Sequence, residues 1–465
     1  MHDLLGDEAG SLLDAIDEPR PPAVRLNHLR GQPDALAEHL PWPSSPVPWC
    51  PAGRVVSASS REVATAPLND AGVYYQQDPA AMAVAQVLAP RKGELVVDVA
   101  AAPGGKTTHA AGLTGDSALI VANDLDEGRA RSLLGNVERL GVTSAVVTNG
   151  SVERLVGALG SSADAVILDA PCSGEGMFRR SAAARDAWSP GAVERHADLQ
   201  RRLISQAALL VAPGGRLVYS TCTFDPRENE DVVSWLLARR PDLALEPIRL
   251  AGTSDAGRFG LPGAARVWPH LSPGDGHFLA LLVRDPGAGP ADHGRSVSGG
   301  AGQPGRSVRD RRRAGSAGRS AGSSYLKAWR EFATDHLEPA WRDLPRVERY
   351  GKHLLALPER FAPLPGVHVM RAGLHLGDIV DRGGTTVFEP AHALAMAATA
   401  AWRGASLDLE EDADGLTRFR AGGAARAGDA KGICLVTYRG FPLGFARAKG
   451  GEARSLLPRG LRRPA

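Results

Sequence analysis

At 465 residues, with 43% hydrophobic and 23% charged side chains, the chain has globular composition and length for roughly three domains, which excludes a fibre or a disulfide mini-scaffold. No apolar run approaches the roughly 18 residues of a membrane span, so a soluble protein without membrane contacts is expected. Charge decides less: 54 basic against 52 acidic residues leave +2, and segment 286–322 alone carries seven Arg and two Asp.

The opening MHDLLGDEAG is acidic and lacks the apolar stretch of a signal peptide, which points to the cytoplasm. Residues 1–75 read as Pro-rich and irregular around VRLNHL and GRVVSA, a small N-terminal module. Asp78-Pro79 then supplies a helix cap and a proline for the first helical position, predicting a helix over AAMAVAQVL. From there short apolar runs recur: ELVVDV (94–99), ALIVAN (118–123), SAVVT (144–148), DAVILD (164–169) and RLVYST (216–221). The stretches between them are helical. LDEGRARSLLGNVERLG places apolar residues at 125, 133, 134, 137 and 140, and GAVERHADLQRRLISQAALLVAPGG closes on a Gly pair. Strands alternating with crossover helices predict an α/β, doubly wound Rossmann-like domain over 76–285. Pro286 to Gly322 has almost nothing apolar to bury and reads as a disordered basic linker. Residues up to Asp285 are therefore expected to fold without the C-terminal half of the chain. Residues 323–400 mix helix and strand signals as an α+β module. In 401–465, a small β-rich module, KGICLVTYRGFPLGF reads as a hairpin turning at Arg439-Gly440.

Ligands of an open parallel sheet sit at the carboxyl ends of its strands, so the residues just after each apolar run carry the functional argument. ELVVDV is followed by AAAPGGKT, where Gly104 and Gly105 allow a tight turn before a helix N-terminus. ALIVAN is followed by Asp124, placed to accept ribose hydroxyls, and the pair favours an adenosyl cofactor. DAVILD is followed by Asp169, Ala170, Pro171 and Cys172, and RLVYST by Cys222. The four cysteines form no CxxC pair, which leaves no zinc site, no metal and no disulfide framework to expect. Cys50 and Cys434 read as small buried hydrophobes, whereas Cys172 and Cys222 end neighbouring core strands. A P-loop reading of AAAPGGKT fails because Ala100 stands where the loop needs its first Gly, and it leaves both thiols unused. A Rossmann dehydrogenase would need GxGxxG. Two thiols, an aspartate and an adenosyl cofactor suit methylation of a carbon that is not itself nucleophilic, such as cytosine C5: a thiolate adds to C6, activating C5 toward the methyl group.

The runs VVDVAAAPGGKTT, VVTNGSVERL, DAVILDAPCSGEGMFRRS and PGGRLVYSTCTFDPRENE closely resemble the RNA cytosine-5 methyltransferases of the Sun/Nop class. LPGVHVMRAGLHLG, FEPAHALA, PLGF and LLPRGLRR resemble the C-terminal region of the bacterial RsmF-type small-subunit ribosomal RNA enzymes. The resemblance implies Cys222 as nucleophile, Cys172 as the thiol that assists product release, Asp169 bonding the cytosine edge and Lys106 beside the base. It implies that S-adenosylmethionine rests on Ala100, Ala101, Ala102, Pro103, Gly104, Gly105, Lys106, Asp124 and Arg129, with Asp169 shared between cofactor and base. It also implies RNA-binding modules at both ends, the last PUA-like, and ribosomal RNA as partner of a monomeric enzyme. Two departures stand out: Ala100 occupies a position where the family often has Cys, and Asn149, Gly150 and Ser151 stand where relatives place an acid near the adenine. Phe178, Trp188, Tyr219 and Phe224 flank the motifs and read as core, with base stacking as the other use. Other readings are the same chemistry on transfer RNA or another ribosomal RNA, and a non-catalytic RNA-binding assembly factor.

Overall fold

The computed structural model describes residues 5–289 and 318–463. Four strands, β1 (Ala23–Leu26), β2 (Ser44–Val47), β3 (Cys50–Val56) and β4 (Tyr74–Gln76), form an antiparallel sheet in the order β2-β3-β1-β4. Residues 1–75 are thus not irregular. Their prolines sit where regular structure accepts them: Pro33 and Pro67 open short helices, and Pro46 lies on the edge strand β2. The sheet also runs past residue 75, since Gln76 pairs with Val24.

Asp78 caps the next helix, Pro79–Leu88, by accepting from the Ala80 amide at 2.9 Å. The five apolar runs become β5 (Leu95–Asp98), β6 (Leu119–Asp124), β7 (Ala145–Asn149), β8 (Ala163–Asp169) and β9 (Val211–Thr221), all parallel in the order β9-β8-β5-β6-β7. Val96, Ile120, Val147, Ile167 and Val218 enter one core; Val97, Val121, Val146, Val166 and Leu217 enter another. Both faces are buried, which is why these runs are apolar throughout instead of alternating. Helices Gly105–Leu113 and Glu127–Arg139 cover the first face; Val152–Leu159 and Pro190–Leu210 cover the second. The last of these stops at Leu210, short of the expected Gly pair. Val211 already pairs with Ala163, and Gly215 lies in a bulge where a Cβ would come within 2.9 Å of the Ala163 carbonyl. Beyond β9 the sheet continues antiparallel through β10 (Leu243–Glu246), β11 (Ser254–Asp255), β12 (Ala265–Val267) and β13 (His277–Arg284).

The strand order reverses at β5, which opens a crevice between the carboxyl ends of β5 and β8. Asp98 and Asp169 end those two strands.

Residues 290–317, most of the segment read as a linker, lie outside the described residues. Its end at 322 is displaced, because 318–322 belong to the helix Gly318–His336. Trp329, Phe332 and Ala333 anchor that helix in a core, and helix propagation is favourable once a packed turn exists. The C-terminal half then forms β14 (Val347–Tyr350), β15 (His353–Ala356), β16 (His368–Ala372), β17 (Leu374–Arg382) and β18 (Thr385–Pro390). Four of them make a sheet in the order β14-β15-β17-β18. β16 instead pairs antiparallel with β7, extending the central sheet from its other edge. The C-terminal half is therefore built into the sheet that it was expected merely to follow. Finally β19 (Ala405–Asp408), β20 (Ala424–Arg426), β21 (Gly432–Tyr438), β22 (Phe441–Lys449) and β23 (Glu452–Ser455) form a five-stranded sheet. The expected hairpin joins β21 to β22, with Arg439 at φ 54° and Gly440 at φ 75°. Among the described residues no helix is long and apolar enough to cross a membrane.

Candidate active site

At the crevice, Lys106 reaches back from the first turn of helix Gly105–Leu113 and its Nζ lies 2.6 Å from Asp169 Oδ2. Ser220 Oγ donates to Asp169 Oδ1 at 2.7 Å, and His277 Nε2 approaches the same oxygen at 3.3 Å. Burial alone pushes the Asp169 carboxyl up, but Lys106 and His277 outweigh it and hold it well below the usual carboxylate range. Burial likewise opposes the charge on Lys106, and Asp169 outweighs it, so the ammonium is held above its ordinary value. The pair is an ionised donor and acceptor side by side.

The two strand-end thiols meet there. Cys172 Sγ lies 3.4 Å from Cys222 Sγ. The hydrogen bond that its S–H makes to Cys222, then burial, push the Cys172 thiol well above its ordinary value. Gly176 donates to the Cys222 carbonyl at 2.8 Å, and a Cβ there would sit 2.7 Å from that oxygen, so only glycine lets the two loops approach.

On the other side of the crevice, the Val99 amide donates to the Ile167 carbonyl and the Ala101 amide to the Asn123 carbonyl, which spreads residues 99–101 across the ends of β8 and β6. Gly104, at φ 106°, begins the helix with no side-chain cap, leaving its first amides open toward the crevice. Asp124 is buried at the end of β6; its Oδ1 accepts from the Asp126 amide at 3.0 Å and its Oδ2 from the Ala102 amide at 3.3 Å. Arg129 Nη2 donates to the Ala102 carbonyl at 3.0 Å and lies 3.5 Å from Asp124 Oδ2. The structure thus brings residues 100–106, Asp124 and Arg129 into one cradle and Lys106, Asp169, Cys172 and Cys222 into the adjoining cleft.

Family models match in chain order: the N-terminal domain of 16S rRNA methyltransferase RsmF at residues 1–79, 16S rRNA methyltransferase RsmB/F at 85–283, the RsmF rRNA methyltransferase first C-terminal domain at 331–397 and the methyltransferase RsmF PUA domain at 406–463. The ribosomal RNA small subunit methyltransferase F of Cronobacter sakazakii is 32% identical over 458 residues, 96% of this chain and 91% of that protein. The Klebsiella pneumoniae protein of the same name is 32% identical over 462 residues, with the same coverage of 96% and 91%. The chain belongs to the RsmF-type family of 16S rRNA methyltransferases. A solved methyltransferase homolog from Pyrococcus horikoshii is 31% identical, with a TM-score of 0.54 over 61% of this chain and 92% of that one. NSun6 from the same organism, solved with SFG, shares the fold at 24% identity, with a TM-score of 0.54 and coverage of 61% and 96%.

Within this RsmF-type framework the structure adds residues that carry no obvious signal in the sequence. Glu175 and Glu228 lie inside the cysteine blocks yet act as cross-links. Glu175 Oε2 accepts from Thr223 Oγ1 and the Phe224 amide, each at 2.6 Å, and its Oε1 accepts from Trp188 Nε1 at 3.0 Å. Glu228 Oε2 accepts from the Ser173 amide at 3.1 Å and Gln200 Nε2 at 2.7 Å. Each carboxylate ties the Cys172 loop to the segment after Cys222. Asp98 accepts from Thr107 Oγ1 at 2.6 Å, and burial pushes it up to about 7; its Oδ1 has no partner among the described residues. Its position inside VVDVAAAPGG was the available signal. Asn149 donates to the carbonyls of Asp124 and Leu125 and so braces the Asp124 turn. Tyr219 and Phe224 are core residues, as expected. Phe178 and Trp188 are only partly covered and, with Leu13 and Ile16, line a cavity of about 630 Å³ beside the Cys172 loop.

Proposed function

We propose that the chain is an S-adenosylmethionine-dependent RNA cytosine-5 methyltransferase acting on small-subunit ribosomal RNA in the cytoplasm. The observation that carries the reading is the thiol pair, Cys172 and Cys222 at 3.4 Å, at the strand ends adjoining the ionised Lys106–Asp169 pair. S-adenosylmethionine, when bound, supplies the methyl group. The residues present fit it: open helix amides at 105–107 suit its carboxylate, Asp124 suits its ribose, and Ala100 to Pro103, with Arg129 behind them, line the cradle by backbone.

Cys222 adds through Sγ to cytosine C6, making C5 nucleophilic. Cys172, held protonated, places an S–H against that sulfur and stabilises it as thiolate before attack and as leaving group afterwards. Asp169 stays ionised and so accepts from the cytosine amino group. Lys106 donates to the ring edge where negative charge develops as C6 is attacked. Elimination breaks the C5–H and C6–Sγ bonds: Cys172 gives its S–H proton to the departing Cys222 sulfur and takes up the C5 proton in its place, which restores the aromatic ring. The base must leave its stack to reach this cleft. The N-terminal sheet and the two C-terminal modules supply the surrounding RNA contacts. The deciding assay incubates small-subunit ribosomal RNA with protein and S-adenosylmethionine carrying a tritiated methyl group. Label recovered as 5-methylcytidine supports the reading, and label in any other nucleoside, or none, refutes it.

A further inference from the structure

Far from the cleft, β15 and β17 carry three potential ligands. His353 is the cross-strand partner of Asp378 and Leu354 that of Gly377, but Leu355 is paired with His375, which leaves Leu376 as an extra residue. On a regular strand, residues three apart point to opposite faces. The bulge reverses that: Leu376 and Gly377 are both turned inward, and His375 and Asp378 emerge together on the outer face. Gly377 is needed for this, because a Cβ would collide with the Glu389 carbonyl and the Phe388 ring. Asp378 Oδ1 consequently lies 2.7 Å from His353 Nδ1 and 3.0 Å from His375 Nε2, and one ligand atom from each of the three residues lies within 4.8 Å of the other two.

We propose that His353, His375 and Asp378 form a binding site for a divalent transition-metal cation of the zinc type, with its fourth position open. Two imidazoles and one carboxylate suit zinc, whereas magnesium and calcium take oxygen ligands. Bonds of about 2.0 Å in a tetrahedron hold ligand atoms about 3.3 Å apart, so both contacts to Asp378 need only open slightly. Lys352 Nζ binds the other oxygen, Asp378 Oδ2, at 2.9 Å from a largely exposed position, which leaves Oδ1 for the metal. The location has a structural consequence. At Gly373, whose amide donates to the Ala145 carbonyl, the chain leaves β16 in the central sheet and enters β17 in the C-terminal sheet. His375 is two residues further on, so a bound cation ties β15 to β17 at the joint between the two sheets.

The test is calorimetric titration of the untagged full chain with Zn²⁺, carried out on a variant with Cys172→Ser and Cys222→Ser so that the thiol pair cannot take the metal. One equivalent of Zn²⁺ binds, Mg²⁺ at the same concentration gives no heat, and zinc-edge X-ray absorption reports two imidazoles and oxygen. His353 is half-exposed, so His353→Ala leaves the fold intact, checked by circular dichroism. It weakens binding by more than about tenfold, the least that disturbing even an outer partner of a metal costs. Absence of saturable zinc binding, or binding unchanged in both His353→Ala and His375→Ala, overturns the proposal.

Discussion

The two walls of the cleft are held by different atoms. On the cofactor side, backbone amides and carbonyls of residues 99–104 make most of the links, with Asp124 and Arg129 fastening the loop from outside. On the thiol side, Glu175, Glu228, Thr223, Asn229 and Gln200 join the loops through side chains. A backbone-built wall tolerates a change of side chain at a position such as Ala100. A wall built from buried carboxylates does not, because each removal strands donors that water cannot reach.

The sharpest test of this contrast lies at the thiols. Cys222→Ala should abolish methyl transfer and any covalent protein–RNA adduct, whereas Cys172→Ala should permit attack and stall at elimination, accumulating RNA attached through Cys222 on a denaturing gel. Adduct in Cys222→Ala and none in Cys172→Ala would reverse the two roles. Next in size, Glu175→Ala removes the acceptor for Thr223, Phe224 and Trp188, and should lower unfolding stability in urea by about 3 kcal/mol while displacing both loops. An unchanged midpoint would show that these links do not hold the thiol wall.

Asp98 offers a test through pH. Burial raises its folded-state value to about 7 from an unfolded 3.8, so its contribution is complete below pH 3.8 and is lost as pH rises through 7. Asp98→Asn should therefore abolish a decline of a few kcal/mol between about pH 4 and 7, read from urea midpoints across that range. The same decline in the variant would assign the titration elsewhere.

The cofactor wall should respond less. Asp124→Ala is expected to weaken S-adenosylmethionine binding by about 1 to 3 kcal/mol in calorimetry, the size of a lost charge-assisted hydrogen bond. Ala100→Cys should change that affinity by less than about 0.5 kcal/mol, the range of substitutions that disturb no packed or paired group. A larger loss there would show that the loop acts through side chains after all.

Sequence alone determined the parallel sheet, the glycine loop, and the placing of Asp124, Asp169, Cys172 and Cys222 at strand ends, because apolar period, turn residues and caps are local and leave their mark within a few positions. It misread residues 1–75, since prolines at helix starts and on an edge strand look in a sequence like prolines in a loop. It also put a helix end on Gly214-Gly215, where the chain needs glycine for a bulge. What only the tertiary structure decided depends on partners distant in the chain. Cys172 and Cys222 are 50 residues apart yet in contact. The pairing of β16 with β7 and the cluster of His353, His375 and Asp378 also lack a local signal, because strand pairing runs through backbone groups common to nearly every residue and a one-residue bulge decides which side chains share a face.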